Sequence, residues 1–145
     1  EDACIETGTD IQAFNEMTKN LDEHVVTYMK LSIIVKALNE DDKFPYFTKD
    51  EWRYYPYFWL YTKDEYEKMN TKDREKISRV LFRSCDYASS NGGVAYANAQ
   101  SAASDTYAFV GARLVFRNRE LALYAGKQFI DLYVKHLFDA DIVKD

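Results

Sequence analysis

Apolar residues recur at helical spacing over residues 21–40 and again over residues 118–138. Wound at about 100° per residue, the apolar side chains cover most of the circumference of each stretch. A helix that packs on one side has a narrower apolar stripe. The pattern therefore predicts two long buried helices that pack against each other, the second with Asn118 as its N-cap.

Between these stretches, residues 53–62 (RYYPYFWLYT) favour a strand because aromatic residues are enriched in strands. Alternation predicts one face with Tyr55, Tyr57, Trp59 and Tyr61, and an opposite face with Tyr54, Phe58 and Leu60. Pro56 has no N–H to donate, which predicts an edge strand or a bulge. Both faces are aromatic, so one is expected to pack on helices and the other to be covered by a loop or open to a partner.

Capping boxes, in which Thr precedes Glu or Gln by three positions, begin at Thr9, Thr48 and Thr62. They predict short helices at these places. Thr71 is predicted to cap a further helix that reaches about Phe82.

Three runs after Phe82 have a strand-like pattern, at residues 83–90, 94–102 and 107–117. Asn91-Gly92-Gly93 separates the first two and predicts a tight hairpin. A phosphate-binding loop is the alternative, although the Gly-Lys-Ser/Thr of a P-loop is missing, and the alanine-rich middle run could also be helical. In the last run, alternation places Ala108, Val110, Ala112, Leu114 and Phe116 in the core and Tyr107, Phe109, Gly111, Arg113, Val115 and Arg117 opposite.

These elements predict an α+β fold in one domain, residues 1–145. A small antiparallel sheet, made of a three-stranded meander plus an aromatic edge strand, would pack against the two long helices. The chain has 145 residues with only 5 Gly and 2 Pro, so no linker is indicated.

Composition narrows the partners and the location. The net charge of -5 disfavours a general coat for nucleic acid or for an anionic membrane. No run of 18 apolar residues is present, and the first residues do not resemble a signal peptide. We therefore expect no membrane location. Cys4 and Cys85 are expected to be unpaired thiols, with a single disulfide as the alternative.

The sequence predicts no catalytic, cofactor-binding or metal site. His24 and His136 lie in the predicted buried helices, and no Ser/His/Asp or Cys/His set has a reason to converge. Adjacent acids such as Asp64 and Glu65 suit the first turn of a helix and need no other role. Catalysis is therefore the least favoured interpretation.

The aromatic residues, 16% of the chain, predict an interaction surface, although an aromatic-rich core would also explain them. The candidate partner-binding residues are Tyr55, Tyr57, Trp59, Tyr61, Tyr107, Phe109, Arg113 and Arg117. The leading hypothesis is a non-catalytic structural protein that docks on other protein chains. The alternative is single-stranded nucleic-acid binding, in which aromatic rings and arginines on one strand face would hold bases and phosphates. Carbohydrate binding by the aromatic strand is a third hypothesis.

The C-terminal segment resembles the signature of a family of small proteins. Its residues are VGARLVF at 110–116, RELA at 119–122 and YAGKQFIDLY at 124–133. The family is carried by gut Bacteroidales and by their phages, including crAss-like phages. EDAC at residues 1–4 and YYP at residues 54–56 resemble its other landmarks, whereas residues 62–79 form a longer insert than in the family. The family has no established activity, so the resemblance implies a phage or mobile-element context and a virion or assembly component.

Overall fold

Helices account for most of the residues that the structure, a computed structural model, describes. Those residues are 1–40, 52–76, 80–82, 92–102 and 111–138. The helices are α1 (Asp2–Glu6), α2 (Ile11–Thr18), α3 (Glu23–Leu38), α4 (Lys63–Lys68), α5 (Thr71–Lys76), α6 (Arg119–Gln128) and α7 (Ile130–Phe138), with a 3₁₀ turn at Ala112–Leu114. The strands are β1 (Arg53–Thr62), β2 (Val80–Phe82) and β3 (Gly92–Ala102).

Side-chain caps fix where several helices begin. Asp10, one residue after the predicted Thr9, accepts hydrogen bonds from the backbone N–H groups of Gln12 and Ala13 at 2.8 and 3.0 Å. Asn118 accepts from the Leu121 N–H at 2.9 Å, which confirms the predicted N-cap of α6. Such bonds satisfy N–H groups that have no partner within the helix.

The single long helix predicted over residues 118–138 is wrong, because the chain breaks between α6 and α7 at Phe129 (φ -116°, ψ 31°). Both helices contribute to the main core, α6 through Ala122 and Ala125 and α7 through Tyr133. Ile130 and Val134 of α7 also form a second cluster. The wide apolar arc in the sequence thus covers two helices that meet at a break.

The main core lies where α3 packs against the segment that precedes α6. Leu31 and Val35 of α3 meet Leu114 and Phe116, and all four side chains are buried. Helix α3 also packs against α1 and α7. The predicted buried character of α3 is therefore explained by neighbours on several sides.

The strands pair antiparallel in the order β1-β3-β2. The register of β1 against β3 shifts after Tyr57, which pairs with Asn98, whereas Phe58 pairs with Tyr96. One residue of β3 is thus left over, which makes a bulge in β3.

The predicted fold class, a meander and an edge strand on two long helices, is wrong: the described chain is mostly helical and the meander is not formed as predicted. Where its last strand was expected, Gly111 has φ +66° and a 3₁₀ turn follows. Leu114, Val115 and Phe116 are all buried, which a strand with one solvent face cannot achieve. Phe116 makes only an isolated bridge with Tyr54.

Two further predictions in the middle of the chain are wrong. Gly92 and Gly93 belong to β3, where they pair with Thr62 and Tyr61, and not to a tight turn as the hairpin prediction required; Asn91 lies outside the described residues. Val80–Phe82 is β2 rather than the end of a helix, since it pairs with β3. The predicted strand at residues 83–90, the capping box at Thr48 and residues 107–110 lie outside the described residues. The single domain stays a prediction.

Candidate interaction surface

The aromatic side chains of β1 divide between the core and the surface. Tyr55 is buried at 9% exposure, whereas Trp59 is 50% exposed and Tyr57 is half-buried. The prediction that these three residues share one available face is therefore wrong for Tyr55. Tyr61 lies in β1, and its side chain is outside what the structure describes.

Tyr57 holds Trp59 in an edge-to-face contact, with ring centroids 5.3 Å apart and planes at 88°. Such aromatic pairs are favourable beyond the area they bury. Just before the strand, Trp52 is 56% exposed. Sequence reasoning missed Trp52, although a tryptophan directly before an aromatic strand is a usable signal. We call Tyr57 and Trp59, which contact each other on β1, the β1 aromatic surface.

The two candidate arginines do not lie on a common strand face. Arg113 is exposed in the 3₁₀ turn, whereas Arg117 pairs with Glu40 at 3.0 Å. Tyr107 and Phe109 lie outside the described residues. The strand face that the nucleic-acid hypothesis required is thus not formed by residues 111–117.

A buried asparagine joins the end of α3 to the segment that bridges to β1. Asn39 is 3% exposed; its Nδ2 donates to the Val115 carbonyl and its Oδ1 accepts from the Arg117 backbone N–H, both at 3.0 Å. Between these two positions, the Phe116 N–H donates to the Tyr54 carbonyl at 2.7 Å, and the Tyr54 N–H donates to the Phe116 carbonyl at 3.0 Å. Asn39 therefore fixes, through this segment, where β1 starts.

A cavity of about 170 Å³ lies between β1 and α7. Tyr55, Phe58 and Leu114 form part of its wall, and Tyr133 and His136 line it from α7. Among the described residues, the buried Tyr133 Oη and His136 Nδ1 atoms have no hydrogen-bond partner. Burial also raises the pKa of Tyr133 far above its ordinary value, so its phenol stays protonated.

His136 also stacks on His24 where α7 packs against α3. The ring centroids are 5.1 Å apart with planes at 15°, and the Tyr28 ring lies 5.7 Å from His136. Burial lowers the pKa of His136, and a charge on His24 lowers it further. Sequence reasoning placed each histidine on a helix but did not bring the two together.

The histidine stack predicts a loss of stability in acid. Because the pKa of His136 is lowered from 6.5 in the folded protein, the unfolded chain binds this proton more readily. Stability is present above pH 6.5 and is lost as the pH falls through the lowered pKa. We expect the free energy of unfolding, measured with urea, to fall less between about pH 7 and about pH 5 in His136→Gln than in the native chain.

Other groups near the stack are Tyr28 and the Lys135–Glu23 ion pair, 3.0 Å long, and they remain in that variant. His24→Gln, which removes the neighbouring charge together with the stacked ring but leaves His136 in place, is expected to fall between the native chain and His136→Gln. An equal pH dependence in the native chain and in His136→Gln would contradict the assignment.

Within residues 1–40, 52–76, 80–82, 92–102 and 111–138, no group of three His, Cys, Asp or Glu side chains is placed to hold a metal ion. No helix in these ranges is both long and apolar enough to cross a membrane. Comparisons with protein-family models, with curated proteins and with solved structures find no match to this chain. The β1 aromatic surface and the contacts around it are therefore the basis for assigning a function.

Proposed function

We propose that this protein acts by binding another protein chain, and not by catalysis, and that the β1 aromatic surface makes the contact. The supporting observation is that Trp59 is 50% exposed although it lies within a strand. Tryptophan and tyrosine are enriched among the few residues that carry most of the binding energy at protein interfaces. An exposed tryptophan in contact with a tyrosine on one strand suits such a contact.

The contact between Tyr57 and Trp59 adds to this proposal. An aromatic side chain that is already held in one position loses less conformational freedom when a partner covers it. The edge-to-face packing limits the positions open to the Trp59 ring. The surface is thus partly ordered before binding.

The resemblance to the small proteins of gut Bacteroidales and crAss-like phages supports a particular setting for this contact. We propose that the chain is a phage-encoded virion or assembly component, and that its partners are other virion proteins or further copies of itself. It would then be found in the host cytoplasm during assembly, or in the finished virion.

Quantitative mass spectrometry of purified phage particles tests the virion assignment. The particles would come from a host that carries this gene and would be separated on a density gradient. We expect the chain to follow the major capsid protein through the gradient at a constant ratio. A chain that stays in the soluble fractions while the capsid protein sediments would contradict a role as a virion component.

Trp59→Ala is expected to weaken incorporation of the chain into particles by at least about tenfold, because a central tryptophan at an interface contributes about 2 kcal/mol or more. The measurement is the ratio of variant to native chain in particles assembled with both. Tyr124→Ala is the matched control, since Tyr124 is an aromatic residue that is 51% exposed on α6. Equal incorporation of Trp59→Ala and Tyr124→Ala would contradict the proposed surface.

A further inference from the structure

The cavity between β1 and α7 has the shape and lining of a small-molecule site. Its volume of about 170 Å³ compares with an engineered apolar cavity of about 150 Å³ that accepts benzene. Aromatic rings form much of the wall, and Phe58 packs on Tyr133 with ring centroids 5.5 Å apart. Leu137 lies at the rim and is 42% exposed, which gives a ligand a route from solvent.

Two residues that line this cavity each have a buried polar atom without a partner in the described part of the protein. Tyr133 is only 4% exposed, and its hydroxyl is an unpaired donor and acceptor. The Nδ1 atom of His136 is unpaired as well. The residues are three apart on α7 and therefore lie on the same side of the helix. A buried polar atom without a partner is destabilising, so a ligand that bonds to it gains this energy.

We propose that this cavity binds a small uncharged aromatic molecule, of the size of phenol or indole, whose polar group hydrogen-bonds to Tyr133 with His136 beside it. The rings of Tyr55, Phe58 and Tyr133 supply flat apolar walls for a single ring system. Tyr57 belongs both to the cavity wall and to the β1 aromatic surface. The groups proposed to bond the ligand, Tyr133 and His136, lie on α7 and outside that surface, so ligand binding and docking are tested separately.

The charge state of the cavity favours a neutral ligand. Burial raises the pKa of Tyr133 and lowers the pKa of His136, so both side chains are uncharged at neutral pH. An apolar wall without a compensating charge makes burial of an ion unfavourable. The nearest charges on α7 and α3, Lys135 and Glu23, already pair with each other.

A nuclear magnetic resonance titration of the complete chain with phenol, toluene and benzoate tests this proposal. Phenol and toluene have the same number of heavy atoms and differ in one hydroxyl. We expect saturable shifts of the Leu114, Tyr133 and His136 amides with micromolar-to-millimolar dissociation constants, the range open to so few atoms. Phenol should bind about 5 to 10 times more tightly than toluene because of the added hydrogen bond, and benzoate should not bind.

Tyr133→Phe keeps the ring and removes the hydroxyl, so it should bring the phenol-to-toluene affinity ratio close to one. Tyr124→Phe, the same change at a residue that does not line the cavity, should leave the ratio unchanged. The proposal is overturned if neither ring gives saturable shifts, which would mean that the cavity takes up water only, or if the ratio persists in Tyr133→Phe. Should that variant not fold, equal phenol and toluene affinities in the native chain would also overturn it.

Discussion

Phe116→Ala is expected to lower the free energy of unfolding by about 3 to 5 kcal/mol, the range measured when a large buried aromatic residue is truncated. Phe116 is 0% exposed and belongs to the main core with Leu31, Val35 and Tyr133. Its backbone also forms the isolated bridge to Tyr54, which prevents the neighbouring chain from moving freely into the space left by the ring. The cost should therefore lie toward the upper end of the range.

Urea unfolding checks this prediction. The shift in midpoint reports stability provided that the free energy of unfolding has the same slope against urea concentration in both proteins. Ile5→Ala is the control, since Ile5 is 77% exposed and its loss should change stability by less than about 0.5 kcal/mol. A similar small change in Phe116→Ala would show that the segment at residues 114–116 is not part of the core.

Asn39→Ala is expected to lower the free energy of unfolding by about 2 to 6 kcal/mol, because it leaves two backbone groups without a partner at about 1 to 3 kcal/mol each. These groups are the Val115 carbonyl and the Arg117 N–H. Asn39→Asp keeps the acceptor for Arg117 and loses the donor to Val115, so it separates the two bonds.

The measurement is again urea unfolding, with Asn15→Ala as the control at an exposed position of α2. That control should change stability by no more than about 0.5 kcal/mol. If Asn39→Ala were as stable as Asn15→Ala, the bonds across the α3 terminus would not contribute to the fold.

Local patterns predicted the features that depend on neighbouring residues. The 3.6-residue period placed α3, and the residue type at position 118 placed the start of α6. The break at Phe129 was not predictable in this way, because it depends on how both helices pack in the fold. Alternation at residues 107–117 predicted a strand, but a 3₁₀ turn covers Ala112–Leu114, and Leu114, Val115 and Phe116 are all buried.

In the candidate sites, too, some features follow from neighbouring residues and others depend on the fold. Trp59 could be recognised from its place in an aromatic strand, whereas the burial of Tyr55 depends on how β1 packs in the fold. The Asn39 bonds join residues 76 and 78 positions apart, and nothing in the sequence around Asn39 points to them. The unpaired atoms of Tyr133 and His136 likewise become visible only when α7 lies beside β1.

Photo-cross-linking tests the proposed surface most directly. One version of the chain carries a photo-reactive phenylalanine derivative at position 59, and a second version carries it at position 124. Both positions hold aromatic residues that are half-exposed, on β1 and on α6. After irradiation of assembled particles, we expect position 59 to cross-link to one defined virion protein or to a second copy of this chain, and position 124 to give no such product. Position 59 remaining free of cross-links, or both positions giving the same products, would contradict the claim that the chain docks through its β1 aromatic surface.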